Sequence, residues 1–140
     1  MEVSLKLTDN WFAASNARGV TINLGGGLDD GPSPMEAVLM AAGGCSGIDV
    51  VSILKKMRQP LEALEITVTG KRREEHPRYF ESIQIHYGLK GKLEPEKVKQ
   101  AIELSLNKYC SVTNGLVPKA TITYEFSIGE GGAEGESHSL

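Results

Sequence analysis

Two sulfurs carry the chemistry open to this chain. Cys45 lies inside an apolar run from Pro34 to Arg58, and Cys110 follows a second helical run in the phrase Lys108-Tyr109-Cys110-Ser111-Val112. Unrelated sequence separates them, so they form neither a CxxC pair nor a zinc-type ligand spacing. A buried cysteine is most often a small apolar side chain. Two cysteines, each at a helix position beside small residues, can instead make a dithiol that reduces peroxides. Both readings stay open on the spacing alone.

The elements that must position these sulfurs are visible in the hydrophobic pattern. Met1 to Thr8 alternates, with Val3, Leu5 and Leu7 on one face, and predicts a half-buried strand. Trp11 to Ala14 and Val20 to Leu24 predict two more strands around the polar turn Ser15-Asn16-Ala17-Arg18-Gly19. The glycine run Gly25-Gly26-Gly27 has neither the GKS/GKT of a phosphate loop nor a GxGxxG opening a helix, so it reads as a loop. Ser33-Pro34-Met35-Glu36 is a helix start, with Ser33 as cap, Pro34 in the first position and Glu36 completing a capping box. The helix it opens is apolar on nearly every side up to Val51 and should be buried on most of them. Gly43, Gly44 and Gly47 each weaken it by about 1 kcal/mol relative to alanine, which predicts close approach of another backbone near Cys45. Pro60 ends it.

Leu61 to Gly70 and Phe80 to Leu89 alternate as two strands, expected to be an antiparallel pair joined by the charged segment Lys71 to Arg78. Glu94-Pro95-Glu96 opens a second helix with Val98, Ala101, Ile102, Ser105, Leu106 and Tyr109 on its buried stripe. Val117 to Ile128 supplies the last strand. The order βββ–α–ββ–α–β does not alternate regularly, so the expected fold class is α+β with a largely antiparallel sheet. The expected organisation is a single domain over residues 1–128 and a Gly/Glu/Ser-rich, disordered tail over 129–140. A chain this small cannot cover an all-apolar helix alone, and a homodimer burying it between subunits would.

Composition narrows the function. The chain has 140 residues, 40% of them hydrophobic, with a formal charge of −3 and an isoelectric point near 5.6. That balance opposes general nucleic-acid binding. The basic cluster Lys71-Arg72-Arg73 runs straight into Glu74-Glu75 and reads as a solvated strand end. The N-terminus lacks the charged and apolar regions of a signal peptide. Asp49, Lys55 and Lys56 interrupt the longest apolar run, so no membrane span is expected. The expected setting is cytoplasmic, where a disulfide is transient and catalytic or redox-sensing.

The stretch Gly31-Pro32-Ser33-Pro34-Met35-Glu36 through Ala41-Ala42-Gly43-Gly44-Cys45, followed by Tyr109-Cys110-Ser111-Val112, resembles the OsmC/Ohr superfamily of osmotically induced and organic-hydroperoxide-resistance proteins. The resemblance is to the less characterised OsmC-like branch, and covers the chain except its tail. It implies an intertwined homodimer, with sheets wrapped around paired central helices and a site at the subunit interface. It implies that Cys45 attacks a peroxide as thiolate and becomes a sulfenic acid, that Cys110 resolves this to a disulfide, and that an external dithiol or lipoyl protein reduces the disulfide. No metal or cofactor enters that chemistry. Glu36 and Arg18 are the matching candidates for the family's thiolate-stabilising glutamate and arginine. Glu36 stands one place later than the family's glutamate and nine residues before Cys45, nominally on the opposite helix face, where capping suffices to explain it. Arg18 is the one arginine before Arg58 and sits in a turn-like segment.

Asp49, four residues after Cys45, shares its helix face. A carboxylate there opposes thiolate formation, so Asp49 reads as a buried hydrogen-bonding or dimer-contact residue. His76 and His86 are read at strand ends and His138 in the tail, without a Cys-His spacing. Two functions are open on these residues. One is a thiol peroxidase for organic hydroperoxides, with Met35, Leu39, Met40 and Ile48 as an apolar wall. The other is a non-enzymatic module that binds a small hydrophobic ligand or senses redox state, with Cys45 as packing.

Overall fold

A computed structural model describes residues 1–26, 30–129 and 138–139. The strands and helices are β1 (Val3–Thr8), β2 (Trp11–Asn16), β3 (Thr21–Gly25), α1 (Pro34–Lys56), β4 (Ala63–Arg72), β5 (Phe80–Lys90), α2 (Pro95–Leu104), α3 (Ser111–Leu116), β6 (Thr121–Gly129) and the short β7 (His138–Ser139). A π-helical turn, Ser105–Tyr109, joins α2 to α3. The class is α+β, and contacts group the chain into two compact units, Met1–Met40 and Ala41 onward.

The first unit is an antiparallel meander, β1–β2–β3. The predicted strand is present, but all six of its residues, Val3, Leu5 and Leu7 included, are exposed rather than half-buried. The alternation therefore marks an apolar face that one chain leaves uncovered. At the β2–β3 turn, Asn16 Oδ1 accepts the N–H groups of Arg18 and Val20, both at 3.0 Å. Gly19 there adopts φ +83°, a left-handed conformation that glycine takes without steric cost. Part of the glycine loop beyond β3, residues 27–29, lies outside the described residues. The predicted capping box forms: Glu36 N–H donates to Ser33 Oγ at 3.1 Å, and Ser33 N–H to Glu36 Oε1 at 2.9 Å.

In the second unit the sheet order is β4–β5–β6–β7. β4 and β5 pair antiparallel, as expected, but β5 and β6 run parallel. The crossover between them holds α2, the π turn and α3, and a crossover of that length is what parallel neighbours require. The region expected to be a tail lies mostly outside the described residues; His138 and Ser139 pair antiparallel with β6. The core joins one sheet face, Ile83, Ile85, Tyr87 and Leu89 of β5 with Ile122, Tyr124, Phe126 and Ile128 of β6, to Val98, Ala101, Ile102 and Leu106 of the crossover.

α1 differs from expectation in two ways. Within one chain it buries a single face, Ala42, Gly43, Ser46, Gly47, Val50 and Leu54, while Met40, Val51 and Ile48 (74% exposed) face outward. It is also long and apolar enough by length and composition to cross a membrane, with mean hydropathy 1.8. Asp49 does not interrupt it enough to matter, because one or two charges leave an 18-residue stretch strongly apolar. Its buried face packs against β4. A Cβ on Gly43 would stand 2.8 Å from Val68 Cγ2, and one on Gly47 would stand 2.7 Å from Ile66 Cδ1. The close approach predicted around Cys45 is thus made by β4 side chains rather than by a backbone, and a Cβ at Gly44 would meet nothing within 4 Å among the described residues.

The helix ends in a Schellman motif. Gln59 N–H donates to Leu54 O at 2.9 Å and Arg58 N–H to Lys55 O at 3.0 Å, with Arg58 at φ +58°. A non-glycine residue there carries a steric cost. Arg58→Gly is expected to raise unfolding free energy by about 1 kcal/mol, read as a higher urea midpoint at unchanged slope.

Candidate active site

The chain places the two sulfurs together. α1 carries Cys45, which is partly buried, and the junction of the π turn with α3 carries Cys110, which is fully buried. The two side chains are close neighbours, near enough for Cys45 to push the Cys110 thiol up. That contact joins α1 to a segment far along the sequence, and the spacing of the cysteines carries no hint of it.

Cys110 reaches this position through an inserted residue. Its N–H donates to Ser105 O at 2.7 Å, five residues back, in place of the usual four. The extra residue rotates the chain beyond it. Tyr109, expected on the buried stripe, is 51% exposed instead, and Cys110 takes the inward position. Cys110 then caps α3: Thr113 N–H donates to its Sγ at 3.5 Å. Asn114 Nδ2 ties the junction by donating to Leu106 O at 2.9 Å and Cys110 O at 2.8 Å.

Burial pushes the Cys110 thiol up, and neighbouring Cys45 pushes the same way, against the donors of Thr113. Burial also lifts Tyr87 far above the usual tyrosine range, offset in part by its bond to Ser46. Both groups are therefore held neutral in the fold. The resulting stability is complete below the unfolded thiol range, near 8.5, and is lost as pH rises through the raised folded value. The melting temperature of the reduced protein should fall steadily at alkaline pH. Cys110→Ala should make that fall shallower; an equal slope in both proteins would refute the burial argument.

Beneath the sulfurs runs a row of polar side chains. Tyr87 OH lies 2.6 Å from Ser46 Oγ, Ser46 Oγ lies 2.8 Å from Ser105 Oγ, and Ser105 Oγ donates to Asp49 Oδ2 at 2.9 Å. Ser46, Ser105 and Tyr87 are fully buried. Asp49 serves in this row as a hydrogen-bond acceptor. Sequence reasoning misses Ser46 and Tyr87, because a serine in an apolar helix and a tyrosine in an alternating strand both look like packing; it places Ser105 only on a buried stripe.

Arg18 is exposed in the β2–β3 turn and Glu36 holds the N-terminus of α1 through its capping box. His86 is not at a strand end but in the middle of β5. Its Nδ1 is 3.1 Å from Glu125 Oε1 and its Nε2 is 3.4 Å from Ser127 Oγ, in the order of a nucleophile triad. The row lies across the paired β5 and β6 strands. It is a cross-strand hydrogen-bond row.

The class is an α+β fold with a half-buried helix thiol beside a fully buried one. Comparison with known proteins gives the class its family. The OsmC-like protein family matches residues 26–125, and the chain belongs to it. It is 46% identical over 119 residues to Protein YhfA of Escherichia coli K12, covering 84% of this chain and 89% of that protein. A hypothetical protein from Aquifex aeolicus VF5 superposes with a TM-score of 0.81 at 40% identity, over 92% of this chain and 97% of the other. An organic hydroperoxide resistance protein OsmC from Legionella pneumophila shares the fold, with a TM-score of 0.67 at 12% identity over 91% and 94% of the two chains.

Proposed function

We propose that this chain is a cytoplasmic, homodimeric thiol peroxidase that reduces organic hydroperoxides. The observation that carries the reading is the contact between a half-buried and a fully buried thiol. Cys45 is the sulfur that solvent and substrate reach. As thiolate it attacks the distal peroxide oxygen: an S–O bond forms, the O–O bond breaks, and the departing alkoxide takes a proton to leave as alcohol. Cys110 keeps its proton until Cys45 has become a sulfenic acid. The S–S bond then forms, and the hydroxyl departs with that proton as water. An external dithiol or lipoyl protein returns both thiols. Arg18 and Glu36 enter as the groups that would stabilise the thiolate, with Glu36 already giving Oε1 to its cap.

The dimer is supported by what one chain leaves open: Met40, Ile48 and Val51 along α1, and Val3, Leu5 and Leu7 along β1. Met40 and Ile48 can wall a substrate site only once a partner covers them. Ile48→Asp should therefore shift the protein from dimer to monomer in sedimentation and lower peroxide turnover with it. On a monomer, so exposed a position would tolerate the change within about 0.5 kcal/mol and leave sedimentation unaltered.

The deciding experiment is a stoichiometric pulse of an alkyl hydroperoxide on reduced protein, with hydrogen peroxide in parallel, followed by intact mass and a thiol count. Loss of both thiols to an intramolecular disulfide, faster with the alkyl peroxide, is expected. Persistence of both thiols would sink the peroxidase reading and leave the ligand-binding module.

A further inference from the structure

Ser105 touches both cysteine carriers at once. Its carbonyl accepts the Cys110 N–H at 2.7 Å, closing the π turn. Its hydroxyl lies against α1, 2.9 Å from Asp49 Oδ2 and 2.8 Å from Ser46 Oγ. Ser46 is the residue directly after Cys45, and Asp49 stands one helical turn beyond Cys45. The direction of the row is set by its end. Ser105 donates to Asp49 Oδ2; with its proton committed there, Ser105 accepts from Ser46, and Ser46 from Tyr87. Each hydroxyl proton in the row has one assigned acceptor, in a buried setting where an unpaired polar group is costly. Such a row fixes one relative placement of the two elements and excludes its neighbours.

We propose that Ser105 is a positioning residue for disulfide formation, docking the Cys45 turn of α1 onto the turn that carries Cys110. Disulfide geometry is narrow, with Cβ atoms about 3.5–4.5 Å apart. A misplacement near 1 Å costs about 10²-fold in an intramolecular step. The residue acts through the two backbones and touches neither substrate nor reacting oxygen. The proposal deepens the peroxidase reading and rests on it for its use in the cell. Its physical content is the ease with which Cys45 and Cys110 join, and that can be measured without a peroxide.

The test equilibrates the full chain in glutathione buffers of graded ratio, quenches with acid, alkylates, and counts free thiols by mass. Oxidised glutathione is reduced to two thiols as the protein pair is oxidised to one disulfide, so the midpoint gives the effective concentration of Cys110 at Cys45. Ser105→Ala and Asp49→Ala are each expected to lower it by about tenfold or more. Asp49→Asn keeps a side-chain carbonyl that still accepts the Ser105 proton, and should stay within about threefold of wild type. Ser105→Ala within threefold of wild type would overturn the proposal. So would Asp49→Asn falling as far as Asp49→Ala, which would assign the effect to charge, or a wild-type protein that forms no disulfide at any ratio. Should Ser105→Ala fail to fold, the two Asp49 variants decide alone. A parallel alkyl hydroperoxide arm on wild type separates the two ideas: thiols that resist the peroxide but pair in glutathione sink the peroxidase reading and leave the docking role standing.

Discussion

Cys45→Ser should bring alkyl hydroperoxide consumption down to the uncatalysed rate, a loss of roughly 10⁶-fold for an enzyme of ordinary power. A serine hydroxyl stays protonated where a thiol can ionise, and it offers no sulfur to take the peroxide oxygen. Cys110→Ser should behave differently. Its Cys45 can still attack, so one equivalent of peroxide is consumed and turnover then stops. The sulfenic acid, without a thiol to condense with, is trapped by a dimedone-type reagent and climbs to the sulfinic state when peroxide is in excess. Mass spectrometry distinguishes the two variants directly. Equal residual activity in both would remove the division of labour between the sulfurs.

The largest expected loss of stability lies far from the sulfurs. Gly91, in the turn from β5 to α2, has φ +135°, and a Cβ there would run into Pro60 O and approach Glu62 N within 3.3 Å. Both obstacles are backbone. Glu62 N–H is already bonded to Lys90 O at 2.9 Å, and Leu93 N–H to Gly91 O at 2.9 Å, so neither strand of the turn can swing aside cheaply. Gly91→Ala combines a conformation that side chains avoid with an overlap that cannot relax, and should cost about 3–5 kcal/mol. That is a large part of a typical stability of about 5–15 kcal/mol. Urea unfolding would read it as a fall in midpoint, with the slope near wild type. A loss below about 1 kcal/mol would mean that the turn rearranges freely.

Local signals are legible where the physics is local. Ser33, Pro34 and Glu36 announce the start of α1 because a capping box is written within four residues. The alternation around Ile83, Ile85 and Tyr87 marks β5, and Glu94-Pro95 marks the start of α2. The π turn is illegible for a physical reason. Ser105 and Tyr109 fit the helical stripe at their spacing, and nothing in that pattern shows that one residue will be added before Cys110. α3 is only six residues long, too short for an apolar period to declare itself. The parallel pairing of β5 with β6 depends on the path of the crossover, which no strand encodes alone. For the site, the cysteines are visible as residue types. The row from Tyr87 to Asp49 is not, since its members come from α1, β5 and the π turn and meet only in three dimensions.

The burial of Cys110 makes it a reporter of native-state breathing. A small alkylating reagent added to reduced protein meets the partly exposed Cys45 but finds Cys110 at 0% exposure. Labelling of the second sulfur must wait for the junction of the π turn and α3 to open. Its rate, divided by that of a free thiol, gives the population of that opening without any added probe. The same ratio, tracked as denaturant is raised, tells whether the junction opens by itself or only when the whole sheet unfolds.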